Sequence, residues 1–308
     1  MKKLFLLGII AVLFLTGCTY NINGFETFDE SLRFGSYDEF KDVTKSLDND
    51  YFAVERIENF DTDDVDSLSI DLVFEDVNIY REKRDDIEIR YYGIFSDKTS
   101  DDKPDYVIEE KGDALFKVKW HNIVGANKVK TDIYLPDSYE LPIDIDVVSA
   151  DIRADELENE KVDIHTVSGD LRLDDIITER LTISTVSGDI RIEKLETETF
   201  DVNTTSGDIR VEASDLVESD INTVSGDIRV NIDEHKGDIE IDSTSGDIRF
   251  NIRKTNTDLD IDTLSGSIRV DAKSNDVTKD DDRNFEAKLG NGDHKFKINT
   301  VSGDITID

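Results

Sequence analysis

The stretch INTVSGDIRV, Ile221–Val230, is written almost unchanged at Ile183–Ile192 as ISTVSGDIRI and at Val202–Val211 as VNTTSGDIRV. Its serine recurs at positions 149, 168, 187, 206, 225, 245, 265 and 302, at intervals of 19, 19, 19, 19, 20, 20 and 37 residues. A fixed period near 20 is the mark of a stacked-coil architecture, and it must be settled before any motif inside it is interpreted.

Within each unit the residues separate by chemistry. Ahead of the serine, apolar side chains stand at Val162, Leu181, Phe200, Ile239, Leu259 and Phe296, then two later at Ile164, Ile183, Val202, Ile241, Ile261 and Ile298. Two later again comes a hydroxyl residue, Thr166, Thr185, Thr204, Thr223, Ser243, Thr263 or Thr300. This is period-2 alternation, the signature of a half-buried strand. After Ser-Gly-Asp the apolar residues resume at Leu171, Ile190, Ile209, Ile228, Ile248, Ile268 and Ile305, and again two later. Thr166 to Leu171 is an odd spacing, so uninterrupted alternation would send the two apolar sets to opposite faces. A sharp bend at the glycine returns both to one interior. The column between threonine and serine (Val167, Val186, Thr205, Val224, Thr244, Leu264) is ambiguous in this pattern.

One coil cannot bury its own apolar face, but coils stacked about 4.8 Å apart form continuous Ile/Val ladders. A β-propeller needs four strands per blade and a period about twice as long. The expected fold is therefore all-β, a single-chain β-solenoid with coils of about 19–20 residues. The last, doubled interval is expected to hold one divergent coil (FEAKLGNGDHKFKI) and an acidic insertion around KSNDVTKDDDRN.

Outward-facing columns carry the charge. Arg153, Arg172, Arg191, Arg210, Arg229, Arg249 and Arg269 form one column. Two residues before them run Asp151, Asp170, Asp189, Asp208, Asp227 and Asp247, and two after stand Asp155, Asp174, Glu193, Glu212, Asn231, Asn251 and Asp271. The columns admit two readings. In one, arginine offsets repulsion between like charges about 4.8 Å apart, which in water is roughly 0.9 kcal/mol per pair. In the other, Arg172, Arg191, Arg210, Arg229 and Arg249 with Asp170, Asp189, Asp208 and Asp227 form a flat binding stripe for a glycan or Ca²⁺. Calcium solenoids use glycine-rich nonapeptides with inward aspartates, a pattern this sequence lacks.

Catalytic chemistry has little support. Of four histidines (His121, His165, His235, His294) only His165 lies in a repeat strand, and none recurs with Ser-Gly-Asp. A serine beside a turn glycine is the expected backbone-bonding choice. No catalytic residue, metal ligand or cofactor is assigned.

The chain's 308 residues carry 36 basic and 72 acidic side chains, a net charge of −36. That excludes broad binding of nucleic-acid phosphates, which depends on Lys and Arg. At the N-terminus a basic MKK precedes the apolar LFLLGIIAVLFL, which is short for a comfortable span and runs into LTGC, Leu15–Cys18. This resembles a bacterial lipobox, in which the cysteine is lipidated and becomes the mature N-terminus. Cys18 is the chain's single cysteine, so no disulfide can form within it.

Residues 1–17 are accordingly expected to be a lipoprotein signal peptide. Residues 18–64 read as an acidic tether and possible cap, with a short helix in SYDEFKDVTKSL capped by Ser36. Residues 65–308 read as the solenoid, irregular at first (LSIDLVFEDVNIYR, DIEIRYYG, ALFKVKWHN, KTDIYLP) and regular over 145–308.

NTTSGDIRV, NTVSGDIRV and the closing LGNGDHKFKINTVSGDITID resemble a bacterial "putative adhesin" domain of unknown function, whose members repeat T-x-S-G-D-I-x-V. The resemblance spans 65–308 and implies a β-solenoid at the cell envelope; it supplies no ligand and no catalytic residues. Ser267 stands in place of the aspartate and Thr306 in place of the arginine.

Together these readings predict a lipid-anchored protein on the extracytoplasmic face of the cell membrane. Its role would be noncatalytic, binding an envelope glycan or protein or acting as a scaffold. A polysaccharide-acting β-helix enzyme and a calcium-dependent glycan-binding protein are the alternatives.

Overall fold

The computed structural model describes residues 32–47, 51–95, 104–109, 112–119, 126–254, 256–271, 276–281 and 283–308. The chain falls into two compact units, Met1–Asn49 and Asp50–Asp308. Cys18 and the expected signal peptide, residues 1–17, lie outside the described residues.

In the first unit the expected helix is α1 (Tyr37–Thr44). Ser36 Oγ accepts the Glu39 N–H while the Glu39 carboxylate accepts the Gly35 N–H, so side chains meet two backbone donors at the helix start. Phe40 is buried, with the Phe34 ring edge-on at 5.4 Å.

The second unit opens with β1 (Phe52–Asp61), β2 (Val65–Leu72), β3 (Asp76–Glu82), β4 (Asp86–Phe95), β5 (Asp105–Glu109), β6 (Gly112–Lys119), β7 (Ala126–Pro136) and β8 (Ile143–Ser149). Strand β1 falls in the stretch read from the sequence as a tether. It pairs antiparallel with β4 along its whole length, Phe52 to Phe95 through Asp61 to Asp86. Its alternation is weak because only Val54 and Phe60 are buried, and the exposed positions between them mix Glu55, Arg56, Ile57 and Asn59.

Four parallel strands follow: β9 (Ile152–Ser168), β10 (Leu171–Ser184), β11 (Ile190–Ser206) and β12 (Ile209–Ser225). They pair at the sequence period, Ile152 with Leu171, Leu171 with Ile190 and Ile190 with Ile209. Burial along β9 runs Ile152, Ala154, then Leu157, Asn159, then Val162, Ile164, Thr166. Each jump of three residues is a slip in alternation that keeps the next pair pointing inward. Each regular coil therefore has three inward runs, not the two visible in the sequence. The middle run is Leu157/Asn159, Ile176/Thr178 and Leu195/Thr197, all buried.

The stack continues through β13 (Ile228–His235), β14 (Ile239–Ser245) and β15 (Ile248–Lys254), and the chain ends with β16 (Thr257–Ser265), β17 (Ile268–Val270), β18 (Asp276–Asp281), β19 (Asn284–Leu289), β20 (His294–Ser302) and β21 (Ile305–Ile307). Here spatial order departs from chain order. The final coil, β20–β21, lies between β14–β15 and β16–β17, pairing in parallel with both. At the other end β2 lies between β6 and β8, and β3 between β7 and β9. The segment FEAKLGNGDHKFKI is not a divergent coil. Its first half is β19, antiparallel to both β16 and β18, and its second half begins the regular strand β20. Antiparallel strands thus pair against the ends of the parallel stack: β5 on β6, β4 on β7 and β19 on β16. They occupy hydrogen-bonding edges that would otherwise invite pairing with another chain.

Candidate functional site

The Ser-Gly-Asp bends and the arginine column beside them carry the densest repeated chemistry. Gly207 has φ +126°, and a Cβ there would stand 2.1 Å from the Gly188 carbonyl oxygen of the preceding coil. The left-handed region and the backbone contact each favour glycine there. Threonine secures the same corner from inside: Thr204 Oγ1 donates to the Ser206 carbonyl at 3.2 Å, as Thr166, Thr185 and Thr223 do in their coils.

The aspartates form a chain of bonds along the stack. Asp170 N–H donates to Asp151 Oδ1 at 3.0 Å, Asp189 to Asp170 at 3.0 Å, Asp208 to Asp189 at 2.9 Å and Asp227 to Asp208 at 2.9 Å. Asp247 then donates to Asp227, Asp304 to Asp247 and Ser267 to Asp304, each at 2.9 Å. Each carboxylate binds the main chain of the next coil, so one oxygen of every aspartate in the predicted stripe is already engaged. Among the described residues Ser267 ends the series, donating to Asp304. Its N–H and hydroxyl hold the Asp304 carboxyl below the usual carboxylate range.

The arginines stand in register, Arg153 with Arg172 and on through Arg191, Arg210, Arg229 and Arg249, then Thr306 and Arg269. Most pair with the residue two positions on. Arg172 Nε meets Asp174 at 3.1 Å, Arg210 meets Glu212 at 3.3 Å and Arg269 meets Asp271 at 2.6 Å; Arg191 bonds Glu193 and holds it below the usual carboxylate range. Arg153 turns back to Asp151 at 3.0 Å. Such exposed pairs add little stability individually. Asn231 and Asn251 replace the acids beside Arg229 and Arg249, and among the described residues these two guanidiniums make no ion pair.

At its N-terminal end the column closes on a buried polar group. Asn78 pairs across from Arg153 and donates to Asp132 Oδ1 at 2.8 Å, while the Tyr92 hydroxyl donates to Asp132 Oδ2 at 2.6 Å. Burial, then these contacts with Asp132, raise the Tyr92 pKa. In the column left ambiguous by the sequence, Val167, Val186 and Thr205 are half-buried, whereas Val224 (50% exposed), Thr244 and Leu264 (68%) point outward.

A parallel β-solenoid whose coils turn on Ser-Gly-Asp and are bonded through the aspartate is thus the class defined by these residues. The chain belongs to the Toastrack DUF4097 family, whose model matches residues 65–308. No curated protein matches it. Among solved structures it is similar to a putative adhesin from Bacteroides fragilis, at 13% identity and TM-score 0.49, covering 83% of this chain and 97% of that one. A putative lipid binding protein from Parabacteroides distasonis is similar at 14% identity and TM-score 0.42, covering 83% and 96%. A putative cell adhesion protein from Clostridium sporogenes is similar at 13% identity and TM-score 0.25, covering 83% and 99%.

Proposed function

We propose that this protein is a noncatalytic, lipid-anchored element of the cell envelope whose solenoid acts as a rigid scaffold outside the membrane. One observation carries the scaffold reading: the Asp170–Asp227 column, the most regular candidate site, spends its carboxylates on main-chain N–H groups of neighbouring coils. The repeated phrase thereby holds the stack together. The anchor rests on the LTGC sequence and Cys18. Among the described residues no helix is long and apolar enough to cross a membrane.

A binding role has one specific observation in its favour. Arg229 and Arg249, adjacent in the column and flanked by Asn231 and Asn251, have no acidic partner among the described residues and suit an anionic glycan or an acidic protein segment. The test is a screen of the full chain against envelope glycans and proteins, with and without Ca²⁺, alongside an Arg229→Gln/Arg249→Gln variant. On the scaffold reading neither protein shows saturable binding. Binding by the wild type that the variant loses would replace the scaffold with a ligand site.

For the anchor, Cys18→Ala should abolish lipid labelling and leave either an unprocessed precursor or a released protein. Labelling that persists in the variant would remove lipidation at Cys18.

A further inference from the structure

Away from the arginine column, the opposite strand of each coil carries outward polar columns, and one place in them has metal-ligand chemistry. Asp144 and Asp146 lie two apart on β8 and so share a face. His165 on β9 pairs directly across from Asp146. The two carboxylates and the imidazole each offer a ligand atom, and these atoms lie within 4.8 Å of one another.

The surrounding charges single this group out. Asp71, across from Asp146 on β2, is ion-paired with Lys117, and Asp163, across from Asp144, is ion-paired with Lys161. Among the described residues, Asp144 and Asp146 make no such ion pair with a lysine or arginine and accept no side-chain hydrogen bond. Asp144 Oδ1 is buried from solvent and without a donor. Leaving a buried carboxylate oxygen unpaired is costly, and the usual remedies are a donor or a cation. A cleft of about 310 Å³, lined by Asp144 with Ser67, Ser69, Glu109, Asp113 and Leu115, opens beside the triad.

The imidazole is what departs from the rest of its column, which continues beyond Asn222 through Asp242, Asn299 and Asp262. Where Asp146 and His165 stand, later coils place Ser184, Asn203 and Asn222, and there the amides bond each other: Asn222 Nδ2 reaches Asn203 Oδ1 at 3.4 Å. Further on an amide meets an aspartate, Asn299 Nδ2 donating to Asp242 Oδ1 at 2.7 Å, whereas at the junction of the irregular and regular coils an aspartate faces an imidazole.

We propose that Asp144, Asp146 and His165 form a binding site for a first-row divalent transition metal, joining strand β8 to strand β9. Two carboxylate oxygens and one imidazole nitrogen favour Zn²⁺ over Ca²⁺, which prefers oxygen ligands alone, and they leave at least one position for water or an incoming anion. Bonds of about 2.0–2.2 Å bring donors to roughly 3.4 Å from one another, so the side chains close inward on binding.

The test is titration of the metal-free full chain with Zn²⁺, and separately with Ca²⁺ and Mg²⁺, by calorimetry with parallel thermal melts. The expected result is one equivalent of Zn²⁺ per chain and a melting temperature that rises with Zn²⁺ concentration. His165→Ser, the residue of the next coil at that place, should melt like the metal-free wild type and weaken Zn²⁺ at least tenfold. Asp144→Asn should weaken it similarly, and supplies the same comparison if His165→Ser does not fold. Absence of stoichiometric Zn²⁺, or Zn²⁺ binding undiminished in both variants, overturns the site. So does Ca²⁺ binding more tightly than Zn²⁺.

Discussion

The main-chain N–H of Asp304 donates to Asp247 Oδ1 at 2.9 Å across 57 residues of sequence. In the regular repeats the same bond spans 19. The long step exists because the last coil enters the stack between two coils made earlier, and Ser267 N–H completes the series by donating to Asp304 Oδ1. The chain end is therefore an interior layer, and β16 depends on it for one of its two paired edges.

A chain ending at Asp293 should melt lower and more broadly than the full protein, because removing β20–β21 unpairs β14, β15, β16 and β17 together. Circular dichroism melts check this. A melt superimposable on the full chain would mean that β16 can dock on β14 unaided.

Gly207→Val should cost on the order of 2–4 kcal/mol, from strain at positive φ and displacement of the Gly188 carbonyl that the new Cβ would meet. Since coils stack on their neighbours, the misfit spreads beyond one turn. Denaturant titration measures it, and wild-type stability would show that the corner tolerates a side chain.

Asp208→Ala and Asp208→Asn separate hydrogen bonding from charge. Alanine removes the acceptor for the Asp227 N–H and should cost about 1 kcal/mol, whereas asparagine keeps an acceptor oxygen and should be nearly neutral. Equal losses in the two variants would make the negative charge, and not the bond, the reason for aspartate.

Ser219 stands in the inward column between Phe200 and Ile239, fully buried, with its hydroxyl unpartnered. Ser219→Ala should stabilise the protein by about 1 kcal/mol, since it deletes a polar group that lost its water on folding. A destabilised variant would point to a buried water that the hydroxyl holds.

Burial, then the neighbouring Asp201, Glu240 and Asp242, raise the Asp220 carboxyl above its ordinary value of 3.8. The folded state therefore binds this proton more tightly than the unfolded state, and stability should rise as pH falls from neutral through the raised value. Asp220→Asn, which keeps an oxygen for Asn222, should raise the melting temperature at pH 7 and lose that advantage near pH 4. An equal gain at both pH values would place the effect in packing.

Changing Arg191, Arg210 and Arg229 together to glutamine should lower the melting temperature slightly, and more at low salt, where Glu193 and Glu212 lose their counter-charges unscreened. A salt-independent melt would assign the arginines to something other than charge balance.

The sequence by itself determined the solenoid, its 19–20-residue period, the two apolar runs flanking each bend, the glycine corner and the arginine register. All of these are local patterns that stacking repeats in every coil. The middle inward run was not legible, because it has only two inward residues and one is polar, Asn159 or Thr178, leaving too short an alternation to recognise. The aspartate's partner was equally hidden: a bend residue followed by arginine reads as surface charge until the next coil's N–H lies against it. Spatial order at both ends belonged to the tertiary structure alone. Strands of one period are chemically interchangeable in sequence, and only the competition for unpaired edges decides that β20 enters between β14 and β16 and that β2 lies between β6 and β8. The sequence places His165 alone among repeat strands, but His235 ends β13 and His294 begins β20, because those strands run further than the alternation shows; the meeting of His165 with Asp144 and Asp146 depends on the register between β8 and β9.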